Sequence, residues 1–388
     1  MRAGVILTAM TAFGLAAGAA RADLTVTIGY LRQEVDSPPV LSNLDPVPED
    51  LGIAGARLAM ADSRTTGGFL GHDYRFEVVS VAPGGDLAAA AANLLSRSAL
   101  VLVEGPKDAV LLVAGSGAES LFFNVSSGDA ELRSEDCRGN LLHTALEQAA
   151  ETDALMQVLA ARQWARVALV VGPNDTDATL ADAYRRSAAK FGVRIEGDKT
   201  WSFDTDLRES TMQEVPRFLQ DLPEHDVLIV ADATDDFGRY VEHNTWLPRP
   251  VAGSDGLVPA AWAPAVEAWG AVQLQNRFEA TTGRDMRGQD YAAWAAVRAI
   301  AEAVTRTDSA DPGVLRAYML SEDFALDGFK GRPLSFRAWN GQMRQPVAVA
   351  NDRALVAMAP VEGFLHRRNE LDTLGLDEEE SGCRAFKD

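Results

Sequence analysis

Small polar and cationic side chains follow the ends of the predicted strands, where they could bind a ligand. The candidates are Arg32, Lys107, Ser126, Ser127, Arg138, Asn140 and Asp177, and similar polar segments lie at 232–236 and 254–255. The carboxyl ends of parallel strands meet at one edge of a sheet, and ligands bind there. Two such sets, one in each half of the chain, predict a binding cleft between two lobes. For Arg32 and Arg138 the alternative is an ion pair with a neighbouring carboxylate, such as Glu34 or Asp136.

The motifs of common catalytic sites are absent from the sequence. It contains no G-x-S-x-G elbow, no H-E-x-x-H pair and no Walker lysine motif. The five histidines are scattered, and a catalytic histidine needs partners. The acidic segment with Asp204, Asp206 and Glu209 lacks the full oxygen-ligand loop of a calcium site. We therefore predict a binding protein rather than an enzyme, without a metal site or a catalytic cofactor.

Aromatic residues cluster late in the chain, at Trp262, Trp269, Tyr291 and Trp294. Their spacing on predicted helices is more typical of a core than of a pocket. We keep Trp262 as the aromatic candidate for a ligand contact.

The N-terminus has the features of a secretory signal peptide. Arg2 precedes a short apolar run, and Ala20-Arg21-Ala22 provides a cleavage site before Asp23. Loss of residues 1–22 would make the formal net charge of −20 more negative by two units. Such an acidic protein is a poor partner for nucleic acid, because phosphate binding needs clustered cations. We predict a soluble, exported monomer.

Cys137 and Cys383 are the two cysteines of the chain. In an exported protein they predict a single disulfide. A metal site is the poorer explanation, because no second pair of ligands accompanies them at metal-binding spacing.

Strand and helix patterns alternate in two series, which predicts an α/β fold with two doubly wound, Rossmann-like lobes joined by a multi-strand hinge. We assign 23–138 and 256–330 to the first lobe and 139–255 and 331–370 to the second. Residues 371–388 form an acidic, extended and solvated C-terminal tail. An Asn340-Gly341 pair between alternating runs predicts a hairpin.

A long loop separates the first predicted strand from the first helix. Residues 31–50 include Pro38, Pro39, Pro46 and Pro48, which restrict the backbone. Loops of this length in compact domains are usually functional or disordered. We predict a rim over the ligand pocket; a stiff cover for a sheet edge is the alternative.

The sequence resembles the type I periplasmic binding proteins of ABC transporters. The resemblance rests on the combination of the export signal, the two βα series, the late crossing of the chain between the lobes and the C-terminal hairpin. The resemblance covers essentially all of the chain after residue 22. It implies a pocket at the strand-end loops of Lys107, Ser126, Ser127 and Asp177. Amino acid receptors carry hydroxyl groups after the third strand, where this chain has "EGPKDA". This departure weakens an amino acid as ligand.

Three segments resemble a narrower group, linked to pyrroloquinoline quinone (PQQ)-dependent alcohol dehydrogenase systems. They are "IGYLRQEVDSPPVLSNLDPVPEDLGIAGARLAMADSRTTGGFLGHDYRFE", "DCRGNLLHTALEQAAETDALMQVLAARQWARVALVVGP" and "LDTLGLDEEESGC". This resemblance implies PQQ as the bound ligand. Its three carboxylates would need Arg or Lys, and its ring an aromatic or guanidinium face.

Three functions therefore stay open. The first is a periplasmic receptor that binds PQQ between its lobes, for uptake through an inner-membrane ABC permease or for delivery to a periplasmic quinoprotein dehydrogenase. The second is a receptor for another small carboxylate or an amino acid. The third is a ligand sensor or accessory protein of an alcohol dehydrogenase system.

Overall fold

The computed structural model describes residues 24–36, 46–202 and 211–387. In chain order the elements of the first half are β1 (Leu24–Gln33), α1 (Ile53–Leu70), β2 (His72–Val81), α2 (Leu87–Leu95), β3 (Leu100–Glu104), α3 (Lys107–Gly115), β4 (Leu121–Asn124), β5 (Leu141–His143), α4 (Gln148–Ala161), β6 (Arg166–Val171), α5 (Asp175–Phe191) and β7 (Arg194–Thr200). The signal peptide and Pro38 and Pro39 of the long loop lie outside the described residues.

The second half begins with α6 (Thr211–Leu219), β8 (Val227–Ala231), α7 (Gly238–Val241), β9 (Val251–Gly253) and β10 (Val258–Ala260). Three helices follow, α8 (Ala271–Thr282), α9 (Gly288–Thr307) and α10 (Pro312–Met319). The last strands are β11 (Ser335–Phe336), β12 (Met343–Arg344), β13 (Val347–Ala350) and β14 (Leu355–Ala359).

Two parallel sheets form the frameworks of two lobes. The first has the order β2-β1-β3-β4-β5, and the second has the order β7-β6-β8-β9. β6 and β8 read "RVALVV" and "VLIVA", and nearly all of their residues are buried. Such continuous apolar strands form because helices cover both faces of a parallel sheet. The predicted α/β fold with two lobes is confirmed.

A smaller antiparallel sheet, β10-β13-β14, lies beside the second lobe, and α4 packs on it. β11 and β12 pair around Asn340-Gly341, which confirms the predicted hairpin. α1 packs against α9, so the chain returns to the first lobe after β9. The chain therefore passes between the lobes more than once, as the order of the elements predicts.

The crossing points differ from the predicted lobe boundaries. β5 pairs with β4 and is the last strand of the first sheet, whereas the sequence predicts residues 139–143 in the second lobe. The sequence predicts β10 in the first lobe, but β10 pairs with β13, which is predicted in the second. β5 and β10 have three residues each, and so short a hydrophobic pattern does not predict which strand each of them pairs with.

The C-terminal tail packs against the protein instead of extending into solvent. Leu371, Asp372 and Leu374 are buried, and Arg337 donates to the carbonyl oxygens of Leu374 and Leu376 at 2.6 and 2.9 Å. Cys137 and Cys383 form the predicted disulfide, with their Cα atoms 5.6 Å apart. The amide of Gly375 donates to Asp153 at 2.9 Å, so the tail joins α4 of the second lobe to the loop between β4 and β5.

Candidate ligand-binding cavity between the lobes

A cavity of about 160 Å³ lies between elements of the two lobes. Its wall includes residues that follow β4 and β5, the first turn of α4, the end of β10 and the N-terminal turn of α9. Most of these side chains are small or apolar, and the polar ones are Ser126, Glu151 and Gln289. Ligand sites are typically apolar hollows with a few placed polar groups, so the cavity has the composition of a small ligand site.

Ser126 is fixed in the wall by the end of the neighbouring strand. Its hydroxyl donates to the carbonyl oxygen of Gly105 at 3.1 Å and accepts from the amide of Gly105 at 2.9 Å. The side-chain oxygen of Asn124 accepts from the amides of Ser126 and Ser127 at 3.2 and 2.9 Å. These contacts hold the segments after β3 and β4 together at the carboxyl edge of the first sheet.

Glu151 places a carboxyl group in the wall of the cavity. It lies in the first turn of α4 and is half-buried, with its carboxyl group open to the cavity. Burial raises the pKa of Glu151 to about 8, and the nearby positive charge of Arg133 opposes this rise. At neutral pH the carboxyl group is therefore mostly protonated.

Arg133 is fully buried, and its guanidinium is already bound. It donates to the carbonyl oxygens of Ser127, Asp129 and Ala145 and to the side-chain oxygen of Gln342, at 2.8–3.2 Å. Burial lowers the pKa of Arg133 to about 10, which still leaves it charged at neutral pH. It acts on Glu151 through its field and makes no direct ion pair with it.

Two of the predicted ligand-binding cations pair with carboxylates of the protein. Arg32 Nε donates to Glu104 Oε2 at 2.8 Å, and its other nitrogens donate to the carbonyl oxygens of Glu49 and Leu51. Lys107 Nζ lies 3.6 Å from Asp136 Oδ2. The alternative of a protein ion pair thus describes Arg32, although its partner is Glu104 and not Glu34.

Three further candidates bind backbone or neighbouring groups. Ser127 donates to a carboxylate oxygen of Asp129. Arg138 donates to the carbonyl oxygens of Asp136 and Cys137 at 2.8 and 3.0 Å. Asn140 donates to those of Ala114 and Gly117, each at 3.1 Å. These side chains hold loops, and none of them lines the cavity.

The last two candidates are structural as well. Asp177 is buried and accepts from the amides of Asn174 and Ala233 at 3.0 and 2.7 Å, so both of its carboxylate oxygens are used. Trp262 donates to Gln275 at 2.9 Å and stacks on Tyr291, with ring centroids 5.1 Å apart. Of the eight predicted binding residues, only Ser126 lines the cavity.

Glu151 and Gln289 were missed by the sequence reading. A glutamate in a helix is usually an exposed residue. The available signal was the segment "EQAAETDALMQVLAA", whose apolar residues are spread around the helix and do not form a single stripe. Such a helix is buried, and its few acidic residues are then buried with it. The structure buries Thr152, Asp153 and Gln157 on the same helix.

The described part of the long loop is attached next to this cavity. Arg284 bridges Asp50 and Asp290 at 3.0 and 2.7 Å, and the amide of Gly52 donates to Asp290 at 2.8 Å. These contacts fasten the end of the loop to the N-terminal turn of α9, where Gln289 lines the cavity. The role of the loop as a pocket rim stays a prediction.

An acidic cluster lies at the carboxyl edge of the second sheet. Oxygen atoms of Asp232, Asp235 and Asp255 lie within 4.8 Å of one another. Asp232 accepts from three backbone amides that follow it, and Asp235 pairs with Arg239 at 2.5 Å. Burial, together with the charges of Asp235 and Asp232, raises the pKa of Asp255 to about 7. The contacts describe a capped turn and do not point to a metal ion.

A second cavity, of about 430 Å³, lies on the outer surface of the molecule. Its wall includes Trp269, Ala325, Asp327 and Arg332. Arg332 is paired with Glu370 at 3.2 Å. This outer cavity is built from the segments before α8 and after α10 and does not involve the strand-end loops.

The fold is similar to that of several solved ligand-binding proteins. A branched-chain amino acid ABC transporter periplasmic ligand-binding protein from Burkholderia xenovorans has 14% sequence identity and a TM-score of 0.71, and the match covers 93% of this chain and 100% of that chain. The chain has the type I periplasmic binding protein fold. A solute-binding protein from R. palustris, solved in complex with benzoate, has 13% identity, a TM-score of 0.63 and coverage of 93% and 99%. A branched-chain amino acid binding protein from Streptococcus pneumoniae, in complex with isoleucine, has 16% identity, a TM-score of 0.62 and coverage of 86% and 98%.

At these identities the similarity establishes the type I fold, and the narrower resemblance to the PQQ-linked group stays a prediction. No protein-family model matches the sequence, and no curated protein matches it. Among the described residues, none of the helices combines the length and the apolar character that a membrane span requires.

Proposed function

We propose that the protein is a periplasmic solute-binding receptor that captures a small organic ligand between its lobes and presents it to an ABC-type permease. The ligand is of the size of an amino acid or a small carboxylate. The observation that carries the proposal is the cavity, whose wall combines the strand ends of the first lobe with α4 and β10. In a two-lobe protein, a ligand held by both sides favours the closed arrangement.

The size of the cavity favours a compact ligand. Pockets for drug-sized molecules usually measure about 300–1,000 Å³, whereas this one measures about 160 Å³. Its lining of Val125, Leu146 and several alanines favours a partly apolar ligand. The solved proteins of the same fold include complexes with isoleucine and with benzoate, which are both compact molecules with an apolar body.

PQQ stays a prediction from the sequence resemblance, and so does a dehydrogenase partner. A tricarboxylate would need several free cations. Arg32, Lys107 and Arg138 contact protein groups, and the described residues that line the cavity include no arginine or lysine. The contacts therefore favour the smaller ligand over PQQ.

The proposal is tested by calorimetric titration with a panel of aliphatic amino acids, aliphatic amines, aliphatic and aromatic monocarboxylates, and PQQ. We expect 1:1 binding of at least one compact member and none of PQQ. Ala260→Leu, which fills the cavity, should weaken that binding at least tenfold. Ala325→Leu makes the same change in the outer cavity and should leave the ligand affinity unchanged.

Two results would overturn the proposal. One is that no compact member binds. The other is that binding survives Ala260→Leu and is lost in Ala325→Leu, which would move the site to the outer cavity. Tight binding of PQQ alone would instead support the function that the sequence resemblance implies.

A further inference from the structure

The carboxyl group of Glu151 is the titratable group among the described residues of the cavity wall. Around it, Arg133 comes from the loop before β5, and Tyr184 comes from α5. Glu147, the residue directly before α4, faces Arg337 and the amide of Leu376 instead. β10 and α9 contribute Pro259, Ala260, Ala261, Gly288, Gln289 and Ala292 to the wall, and none of these is titratable.

Glu151 is half-buried, and its carboxyl group is open to the cavity. Hydrogen bonds in which the donor or the acceptor is charged are stronger than those between neutral groups. A ligand in the cavity is placed to supply a charged donor to this carboxyl group. A ligand carboxylate would find no cationic side chain among the described residues of the wall, and the strongly negative protein would repel it.

We propose that Glu151 selects ligands that carry a protonated amine, and that the ammonium group takes the place of the proton on the Glu151 carboxyl group. The inference rests on the proposed function and specifies the chemical group of the ligand that the cavity recognises. The carboxyl O–H releases its proton to solvent, and an ammonium N–H then donates to the carboxylate oxygen. No other bond is made or broken.

The exchange makes amine binding depend on pH in a defined direction. With the pKa of Glu151 at about 8, about one tenth of the free protein is ionised at pH 7 and about nine tenths at pH 9. An alkyl ammonium keeps its proton over this range, since the pKa of such amines is about 10.4. Affinity for an amine should therefore rise about tenfold between pH 7 and pH 9. Affinity for a carboxylate should fall, because the protonated carboxyl group is the form that can donate to it.

Three probes with the same branched apolar body test the inference. Isopentylamine carries the amine alone, 4-methylpentanoate carries the carboxylate alone, and leucine carries both groups. We expect calorimetry to show that isopentylamine or leucine binds, with an affinity at pH 9 about tenfold higher than at pH 7. At pH 7 the binding should release a proton, which is measured by comparing buffers of different ionisation enthalpy. Glu151→Gln should weaken this binding at least tenfold at pH 9 and abolish the proton release. The exposed Glu279→Gln on α8 is the matched control and should change neither.

The inference fails if 4-methylpentanoate binds as tightly as the two amines, or if Glu151→Gln preserves both the affinity and the proton release. It also fails if neither isopentylamine nor leucine binds. If neither amine binds but another compact member of the wider panel does, the proposed receptor function still holds and only the role of Glu151 is wrong. A loss of folding in Glu151→Gln would appear as a lower melting temperature, and Glu151→Asp then provides the second variant. It should keep proton release with reduced affinity.

Discussion

Arg32 and Glu104 join the carboxyl ends of β1 and β3 through an Nε–Oε2 contact of 2.8 Å. Tyr30 donates to the same carboxylate oxygen at 2.5 Å, and Arg32 also donates to the carbonyl oxygens of Glu49 and Leu51. The guanidinium of Arg32, a predicted ligand contact, thus connects two strands and the end of the long loop.

Arg32→Ala should therefore affect stability more than ligand binding. It leaves the carboxylate of Glu104, which is 14% exposed, without its cation. Removing one partner of a largely buried pair costs about 3 kcal/mol, and we expect a clear fall in the free energy of unfolding in urea. Arg75→Ala breaks an exposed pair with Asp73 and should cost at most about 1 kcal/mol. An equal effect of the two variants, or a loss of affinity with unchanged stability, would show that Arg32 serves the ligand.

The disulfide should stabilise the end of the tail more than its beginning. Arg337 holds the carbonyl oxygens of Leu374 and Leu376, while Cys383 is bonded to Cys137. Replacing both cysteines with serine should cost about 2–4 kcal/mol of stability. Hydrogen exchange should rise in 380–387 and stay slow in 371–376. Equal acceleration in both segments would contradict the separate attachment of the first one.

The raised pKa of Asp255 predicts how the stability of the protein depends on pH. Its pKa in the folded protein is about 7, above the ordinary value of 3.8, so the folded state binds its proton more tightly than the unfolded chain. Its ionisation therefore destabilises the fold increasingly from about pH 4 to pH 7, and the full penalty is present above pH 7. Asp255→Asn should raise stability by roughly 1–3 kcal/mol at pH 8 and by little near pH 4.

The check is a series of melting curves from pH 4 to pH 8. Asp352→Asn, at an exposed position, provides a control that should follow the wild-type profile. If the gain from Asp255→Asn were the same at both ends of the range, the explanation by ionisation would be wrong.

The sequence predicted elements with strong local patterns. The apolar runs of β6 and β8 and the alternation of β1 identify strands directly, and α4 and α5 have clear helical patterns. α3 was missed, because Gly105 and Pro106 before it and the glycines after it indicate a loop. α1 continues to Leu70, eight residues beyond its predicted end. Residues 63–70, "SRTTGGFL", have no apolar stripe, and only Ser63 and Gly67 among them are buried, so the sequence pattern does not indicate this part of the helix.

The site was harder to predict than the fold. Polar residues at strand ends identify the correct edge of the sheet, and Ser126 was found in this way. The same reasoning cannot tell a side chain that faces a ligand from one that caps a loop, as Asp177 and Asn140 do. That difference depends on tertiary hydrogen bonds such as the one from the amide of Ala233 to Asp177, which joins residues 56 positions apart.

The most direct test of the central claim is a crystal structure of the protein grown with the member of the ligand panel that binds most tightly. The account predicts ligand density in the cavity between the lobes, in contact with Glu151 on α4 and with Ser126 or Gln289 from the first lobe. Ligand density in the outer cavity beside Trp269, or in contact with one lobe only, would contradict it.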